Sequence, residues 1–426
     1  MSERAVSVDP LIELRRDLHR YPEPAWREFA TTARVVKEVE RIGVDELYVG
    51  REVLAGEREA LPDAEEIEMW FKRAQDAGAD EETLAKLEGG YTGAVAVLKQ
   101  GEGPTVGLRV DIDALPRAES ESPDHTPAAE GFRSETGAMH ACGHDAHMAI
   151  GIGVLEAVKE SDFSGTLKVF FQPAEEVIGG ARPMAESGHL DDVEYLFAIH
   201  IGLDHPTGEV VAGVGGFLAV SHVHATFEGE AAHAGGQPNE GRNAIQAAAA
   251  AIQNLYGIPR HKDGATRVNA GVIRGGTAAN IIAEEATIEG EVRGETTELM
   301  EYMREHAGRV ITAAADMHDC TVEIETGGVA PSAESDAALA EVIAEVARDV
   351  EGVDSILDHD ALGGSEDATF LMQHVQDRGG LATYVGIGTD HPGGHHTATF
   401  DVDEESIRIG VEVLTDAIRA LPQRRP

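Results

Sequence analysis

The chain has 426 residues, beyond the ~250–300 at which single hydrophobic cores usually split, so two domains are expected. Its 42% hydrophobic and 26% charged residues are the balance of a globular protein, and charge interrupts every apolar stretch well short of the ~18 residues that span a bilayer. A formal net charge of −43, from 77 acidic against 34 basic residues, sets nucleic acid and anionic membrane surfaces aside as partners.

The acidic residues run along the whole chain rather than gathering in a tail, and only seven of the basic residues are lysine. Such a surface suits high salt, where the Debye length shrinks to ~3 Å at 1 M and self-repulsion is screened. A halophilic cytoplasm is the expected setting. The opening Met1-Ser2-Glu3-Arg4-Ala5 lacks the apolar core of a signal peptide, in keeping with cytoplasmic retention. Two cysteines, Cys142 and Cys320, are too few for a disulfide framework, and both are expected to be reduced.

In chain order, the first predicted helix takes Asp9 as N-cap and Pro10 as its first residue, with Leu11, Leu14 and Leu18 on one face. From about Val53 to Gly90 an acidic segment with two helical stretches, Asp63–Ala77 and Asp80–Leu87, reads as an insertion. Short apolar blocks then read as buried strands: Ala94–Leu98, Val106–Ile112, Leu167–Phe171, Tyr195–Ile199 and Thr383–Ile387. Helical patterns lie between several of them, Ala146–Lys159 and Ala337–Ala347 among these. The expected fold class is α/β, a mixed and largely parallel sheet covered by helices.

Between Gly216 and Gly328 the texture changes. The order is strand Phe217–Phe227, helix Ala244–Tyr256, strands Arg267–Ile273 and Ala286–Val292, helix Glu295–Ala314 and strand Thr321–Glu325. This β-α-β-β-α-β order is that of a ferredoxin-like unit. Residues 216–328 are therefore expected to form an inserted domain, with a discontinuous first domain made of 1–215 and 329–426.

The densest chemistry is Met139-His140-Ala141-Cys142-Gly143-His144-Asp145-Ala146-His147, a thiol, three imidazoles and a carboxylate just before a helix. Borderline-soft divalent metals take thiolate and imidazole ligands, and Gly143 lets the backbone bring Cys142 and His144 to one side of a turn. The strand Leu167–Phe171 leads into Gln172-Pro173-Ala174-Glu175-Glu176, where adjacent carboxylates diverge, so that one can bind metal while the other reaches a water. In so acidic a chain the same pair also reads as a solvated loop. His200 ends the next strand, and Asp390-His391-Pro392-Gly393-Gly394-His395-His396 follows the last. Open α/β sheets gather functional groups at the carboxyl ends of their strands, and these segments fall at strand ends or, for the cysteine motif, at a turn before a helix. Asp111 and Asp113 close another strand and read equally as turn caps or as carboxylates that fix the tautomer of a ligating histidine.

These segments, in this order, resemble the co-catalytic metallopeptidase and aminoacylase superfamily, and within it the branch of hippurate, indole-acetyl-amino-acid and aminobenzoyl-glutamate hydrolases. The resemblance runs from Arg15-Arg16-Asp17-Leu18-His19-Arg20-Tyr21-Pro22-Glu23 to His396-Thr397-Ala398-Thr399-Phe400-Asp401-Val402-Asp403-Glu404. It implies that Cys142, His144, Glu176, His200 and His396 bind two divalent ions, the Cys142 thiolate bridging; of the donor types, thiolate and imidazole favour zinc, while mixed carboxylate sites accept manganese or cobalt. Glu175 becomes the general base and Asp113 the supporting acid, while Asp111 receives no role. Gly229-Glu230-Ala231-Ala232-His233-Ala234-Gly235 resembles the branch's lid motif, which implies that His233 approaches the substrate or its oxyanion, in its own or a partner's site. Asn280 and Arg293 match lid positions where an amide and a guanidinium hold a substrate carboxylate. Gly363-Gly364-Ser365-Glu366-Asp367 also matches, without an assigned chemistry.

The implied activity is hydrolysis of the linear amide of a small N-acyl amino acid, hippurate-like or aminobenzoyl-glutamate-like. The insertion is most similar to that of aminobenzoyl-glutamate hydrolase A-type subunits. A homodimer is implied, or a hetero-oligomer with a related subunit. The competing readings are a dipeptidase or carboxypeptidase acting on free peptides and a catalytically silent metal-binding homologue.

Overall fold

The structure is a computed structural model that describes residues 8–391 and 393–421. Met1–Ala5 and Pro392 of the sequence reading lie outside the described residues. The chain forms two compact units: one runs to Gly215 and resumes over Glu334–Leu362 and from Asp367, the other comprises Gly216–Ala333 with Gly363–Glu366.

The first unit begins with helices α1 (Asp9–Arg20) and α2 (Phe29–Ile42), strand β1 (Glu46–Val49), and the insertion's helices α3 (Ala64–Asp76) and α4 (Glu81–Leu87). Asp9 is not the N-cap of α1. Val8 holds that position, no side chain caps the end, and Asp9 sits in the first turn, where its charge complements the helix dipole. Then come β2 (Ala94–Gln100), β3 (Thr105–Asp111), α5 (Thr126–Glu130), α6 (His144–Glu160), β4 (Gly165–Gln172), α7 (Ala181–Ala185), β5 (Tyr195–Ile201) and β6 (Glu209–Gly215).

The second unit supplies β7 (Ala219–Glu228), α8 (Ala244–Leu255), β8 (Thr266–Gly275), β9 (Glu285–Gly294), α9 (Thr297–Met317) and β10 (Thr321–Ala330). Back in the first unit are α10 (Ala337–Ala347), β11 (Ser355–Leu357), β12 (Asp360–Ala361), α11 (Thr369–Gln376), β13 (Leu381–Ile387) and α12 (Glu405–Ala420).

The sheet of the first unit has the order β1-β2-β4-β3-β5-β13-β6-β11, with β12 also pairing β6. Its centre, β4-β3-β5-β13, is parallel throughout, and antiparallel pairs flank it at β2/β4 and β13/β6. The carboxyl ends of β3, β4, β5 and β13 therefore lie along one edge, and the candidate ligands follow them. These central strands are buried through nearly every residue rather than every second one, which demands cover on both faces. Helix α6 is buried almost all round, with α1 and α12 packed on it. Glycines make the approach possible: a Cβ on Gly153 would lie 2.6 Å from Val411 and 2.7 Å from Leu11.

The second unit is a four-stranded antiparallel sheet, order β10-β7-β9-β8, with α8 and α9 on one face. Phe227, Ile288, Val292, Met300, Met303 and the alanines of α8 fill the interface. Its β-α-β-β-α-β order matches the sequence reading, but the boundary differs. The sequence puts resumption of the first unit near Val329, whereas Val329 and Ala330 still pair with Ser221 and Val220, which carries the second unit on to Ala333.

Candidate metal centre and active site

Each ligand-type residue arrives on a strand end or a turn that the local sequence shapes. Gly143 caps α6 with φ +82°, and a Cβ there would collide with Ile201, so only glycine lets Cys142 and His144 flank this turn. His200 is the penultimate residue of β5, and the loop after β13 is tied to the cysteine turn by the His396 N–H, which donates to the Ala141 carbonyl at 2.8 Å. Cys142 Sγ lies 3.4 Å from His200 Nε2 and 3.5 Å from His396 Nε2. Glu176 Oε1 lies 3.9 Å from His144 Nε2 and its Oε2 lies 3.6 Å from His396 Nε2. Among the described residues, Cys142-His144-His200, Cys142-Glu176-His396, His144-Glu175-Glu176 and Asp111-His144-His147 each bring ligand atoms within 4.8 Å of one another. Cys142 belongs to two of these sets.

Hydrogen bonds settle which nitrogen each histidine offers. His144 Nδ1 is 2.9 Å from the Asp113 carbonyl and His200 Nδ1 is 2.8 Å from the Ile201 carbonyl. A carbonyl only accepts, so both rings carry the proton on Nδ1 and present an Nε2 lone pair to the centre. His144 Nε2 is buried with no hydrogen-bond partner. Burial disfavours an imidazolium at His144, yet Asp111, Asp113 and Glu176 outweigh it and raise its pKa to about 10, so the surroundings favour positive charge at this point. Burial, reinforced by His147 and His395, pushes His200 well below the usual imidazole range. A stranded lone pair beside a thiol and a carboxylate, in a field that favours a cation, fits a divalent metal ion.

Asp113 organises the base as well as a ligand. Its Oδ1 accepts the Glu175 N–H at 3.1 Å and its Oδ2 the Glu176 N–H at 3.0 Å. The turn that precedes them is strained, with Ala174 at φ +53°, a conformation L-residues avoid at a cost of ~1–2 kcal/mol. Glu28 holds it from below, accepting the Ala174 N–H at 2.8 Å.

His233, Asn280 and Arg293 belong to the second unit and are described within it. His233 is exposed, and its Nδ1 accepts the N–H of Gly235 at 3.1 Å and of Gly236 at 2.9 Å, which places its proton on Nε2. Asn280 lies beside it, its carbonyl accepting the Ala234 N–H at 3.0 Å. Arg293 sits elsewhere. It lies near the far end of β9 from the Asn280 loop, roughly 26 Å along the strand at ~3.3 Å per residue. Its guanidinium grips Glu291 with two bonds of 2.9 and 3.0 Å and reaches Ser365 Oγ at 3.3 Å. Within one chain, Asn280 and Arg293 are not brought to a common carboxylate.

A buried layer adjoins the centre, and of its members only Asp111 is offered by the sequence as a carboxylate that supports a histidine. Arg15 pairs with Asp145 at 2.7 Å, and His19 bridges Asp145 at 2.8 Å and Glu119 at 2.9 Å. Arg109, Asp111 and His147 form a second buried chain. The signal for His147 was its spacing, three residues after His144 on one helix and so on the same face.

Residues 107–420 match peptidase family M20/M25/M40. The chain is 43% identical over 421 residues to the indole-3-acetyl-aspartic acid hydrolase of Enterobacter agglomerans, covering 97% of this chain and 96% of that protein. It is 41% identical over 417 residues to the A-type subunit of p-aminobenzoyl-glutamate hydrolase from Escherichia coli strain K12, covering 96% and 95%. An aminobenzoyl-glutamate utilization protein from Klebsiella pneumoniae shares the fold at TM-score 0.83 and 37% identity, covering 98% of this chain and 96% of that one. A Bacillus subtilis protein described as a dinuclear metal binding peptidase of the M20 family matches at TM-score 0.69 and 24% identity, with 98% of each chain covered.

Proposed function

Because the chain belongs to peptidase family M20/M25/M40, we propose that it is a metal-dependent amidohydrolase that cleaves the linear amide of N-acyl amino acids. The observation that carries this reading is the convergence of Cys142, His144, Glu176, His200 and His396 at the strand ends, with Glu175 adjoining. Asp113 supports the base because one carboxylate receives both backbone N–H groups of the Glu175-Glu176 pair.

Two divalent ions held by those five residues would polarise the amide carbonyl and bring the pKa of a water toward ~7. Glu175 takes the proton of the attacking water and returns it to the departing amine nitrogen. His233 offers its Nε2–H to the oxygen on which negative charge develops, in its own subunit or in that of a homodimeric partner, and Asn280, whose main-chain carbonyl accepts the Ala234 N–H, would hold a substrate carboxylate. Arg293 can hold a substrate carboxylate only by leaving Glu291. This assigns the second unit, Gly216–Ala333 with Gly363–Glu366, the part of a lid and dimerisation domain.

The substrate is an aromatic acyl group on aspartate or glutamate, as in the names of the two relatives above 40% identity, both of which are covered over nearly their whole length. Thiolate and imidazole donors favour zinc, and the carboxylate leaves room for manganese or cobalt. A hetero-oligomer with a related subunit is the alternative assembly. The charge of −43 supports a halophilic cytoplasm as the setting. Fold and activity equal at ~0.1 M and ~3 M salt would count against it.

The deciding experiment strips the protein with chelator, restores zinc, manganese or cobalt, and assays indole-acetyl-aspartate, aminobenzoyl-glutamate, hippurate and free dipeptides at high salt. Turnover of the acyl-aspartate or acyl-glutamate substrates that vanishes on stripping and returns with metal supports the reading. Hydrolysis of dipeptides alone sinks it in favour of a peptidase.

A further inference from the structure

Arg109, Asp111 and His147 are entirely buried beside the candidate centre, and neither Arg109 nor His147 has a part in the chemistry above. His147 Nε2 is 2.8 Å from the backbone nitrogen of Ile201. A main-chain N–H can only donate, so Nε2 is an acceptor and the ring proton sits on Nδ1, from which it is donated to Asp111 Oδ1. The geometry permits one tautomer and no second. Both nitrogens are spent, so His147 has no lone pair left for a cation, although it lies within ligand distance of Asp111 and His144.

The chain of contacts continues in both directions. Asp111 Oδ2 is 2.7 Å from Arg109 Nη1, Arg109 Nε donates to Gln172 Oε1 at 2.7 Å, and Gln172 Nε2 donates to Asp367 Oδ1 at 2.8 Å. Asp367 Oδ2 then accepts the N–H groups of Gly180 at 3.2 Å and Ala181 at 3.0 Å, which ends the chain in main-chain donors. At the other end, Ile201 is gripped on both sides: its N–H by His147, its carbonyl by His200 Nδ1 at 2.8 Å and by His395 Nε2 at 3.1 Å.

We propose that His147 is a positioning residue for His200: held in one tautomer by Asp111 and Arg109, it pins the Ile201 main chain and through it aims the His200 Nε2 lone pair. The inference rests on the reading of His200 as a metal ligand. The arrangement resembles the usual support of a ligating imidazole, with the difference that the support acts on the carbonyl partner of His200 rather than on its ring. A burial that only filled space would need neither the Asp111 charge nor its Arg109 counter-charge, and desolvating that pair is costly.

The test compares three variants of the full chain with wild type: His147→Leu, which keeps bulk and loses both bonds; His147→Gln, whose amide oxygen can accept from Ile201 while its NH2 donates to Asp111; and Asp111→Asn. The readouts are zinc affinity by chelator competition, the absorption spectrum of the cobalt-loaded protein, far-ultraviolet circular dichroism for the fold, and kcat and KM separately. In His147→Leu one of two zinc ions should bind ~10–100-fold more weakly, with kcat lowered, KM within ~3-fold of wild type and a shifted cobalt spectrum. His147→Gln should recover most of the affinity, and Asp111→Asn should weaken the same ion by less. A His147→Leu variant that binds both ions like wild type, or a His147→Gln variant as impaired as His147→Leu, overturns the proposal. If His147→Leu does not fold, Asp111→Asn decides, and unchanged affinity in it is the overturning result. A wild-type chain that takes up no metal sinks the metal reading and this inference with it, an outcome distinct from two ions bound in wild type and variants alike.

Discussion

In the first unit, backbone carbonyls of Asp113 and Ile201 take the Nδ1–H of His144 and His200; in the second, the backbone N–H groups of Gly235 and Gly236 donate to Nδ1 of His233. The same side chain is thereby given opposite faces. His144 and His200 present an acceptor from the buried start of a helix and the buried end of a strand, whereas His233 presents a donor from an exposed loop. The main chain, and not the residue type, decides which histidine suits a cation and which suits a developing oxyanion. Burial follows the same division for these three rings, while His396, the remaining candidate ligand imidazole, is exposed.

The largest effect expected from this contrast lies in the buried region. Glu175→Gln should lower kcat by ~10²–10⁴-fold while two metal ions stay bound, because the amide keeps the shape of the turn and cannot accept the proton. A loss below ~100-fold, measured with metal content confirmed, would remove Glu175 from the role of base. The exposed region should respond differently. His233→Ala should lower kcat by ~100-fold with unchanged metal content and melting temperature, since no buried contact is lost. His233→Asn, which restores an N–H donor, should regain part of the rate. If His233→Ala stripped the metal instead, the division into an acceptor region and a donor region would collapse.

Much of this was legible in the sequence, for reasons that also explain what was not. The central strands were readable because their apolar blocks are continuous, and the ligands because each block ends in a metal-type residue. Strand β6 was not read: Gly213 and Gly215 dilute its apolar run, and only pairing with β13 and β11 makes it a strand. β11 and β12 have three and two residues, too few to carry a period. Asp113 was readable as a carboxylate, but its carbonyl, which sets the tautomer of His144, has no signature in a sequence. The split of Arg293 from Asn280 was equally hidden, since register along β9 and the Glu291 partner emerge only from the fold.

The smallest expected effect concerns the frame of the buried region rather than its chemistry. His19 touches Asp145 and Glu119 through its two ring nitrogens, and carboxylates accept, so the ring is held as an imidazolium. Burial and the nearby Arg15 oppose that charge, but Asp145 and Glu119 prevail and raise the pKa from 6.5 to about 9. A raised histidine pKa means the folded state binds the proton more tightly than the unfolded one, so the stability it adds is complete below pH 6.5 and fades as pH climbs toward 9. His19→Gln should accordingly be less stable than wild type by ~1–3 kcal/mol at pH 6.5, and the gap should narrow as pH approaches 9. Denaturant titrations of both proteins at fixed high salt measure it. A gap that stays constant across that range would show that His19 contributes packing and not charge, and that the Asp145 side of the cysteine turn is held by Arg15 alone.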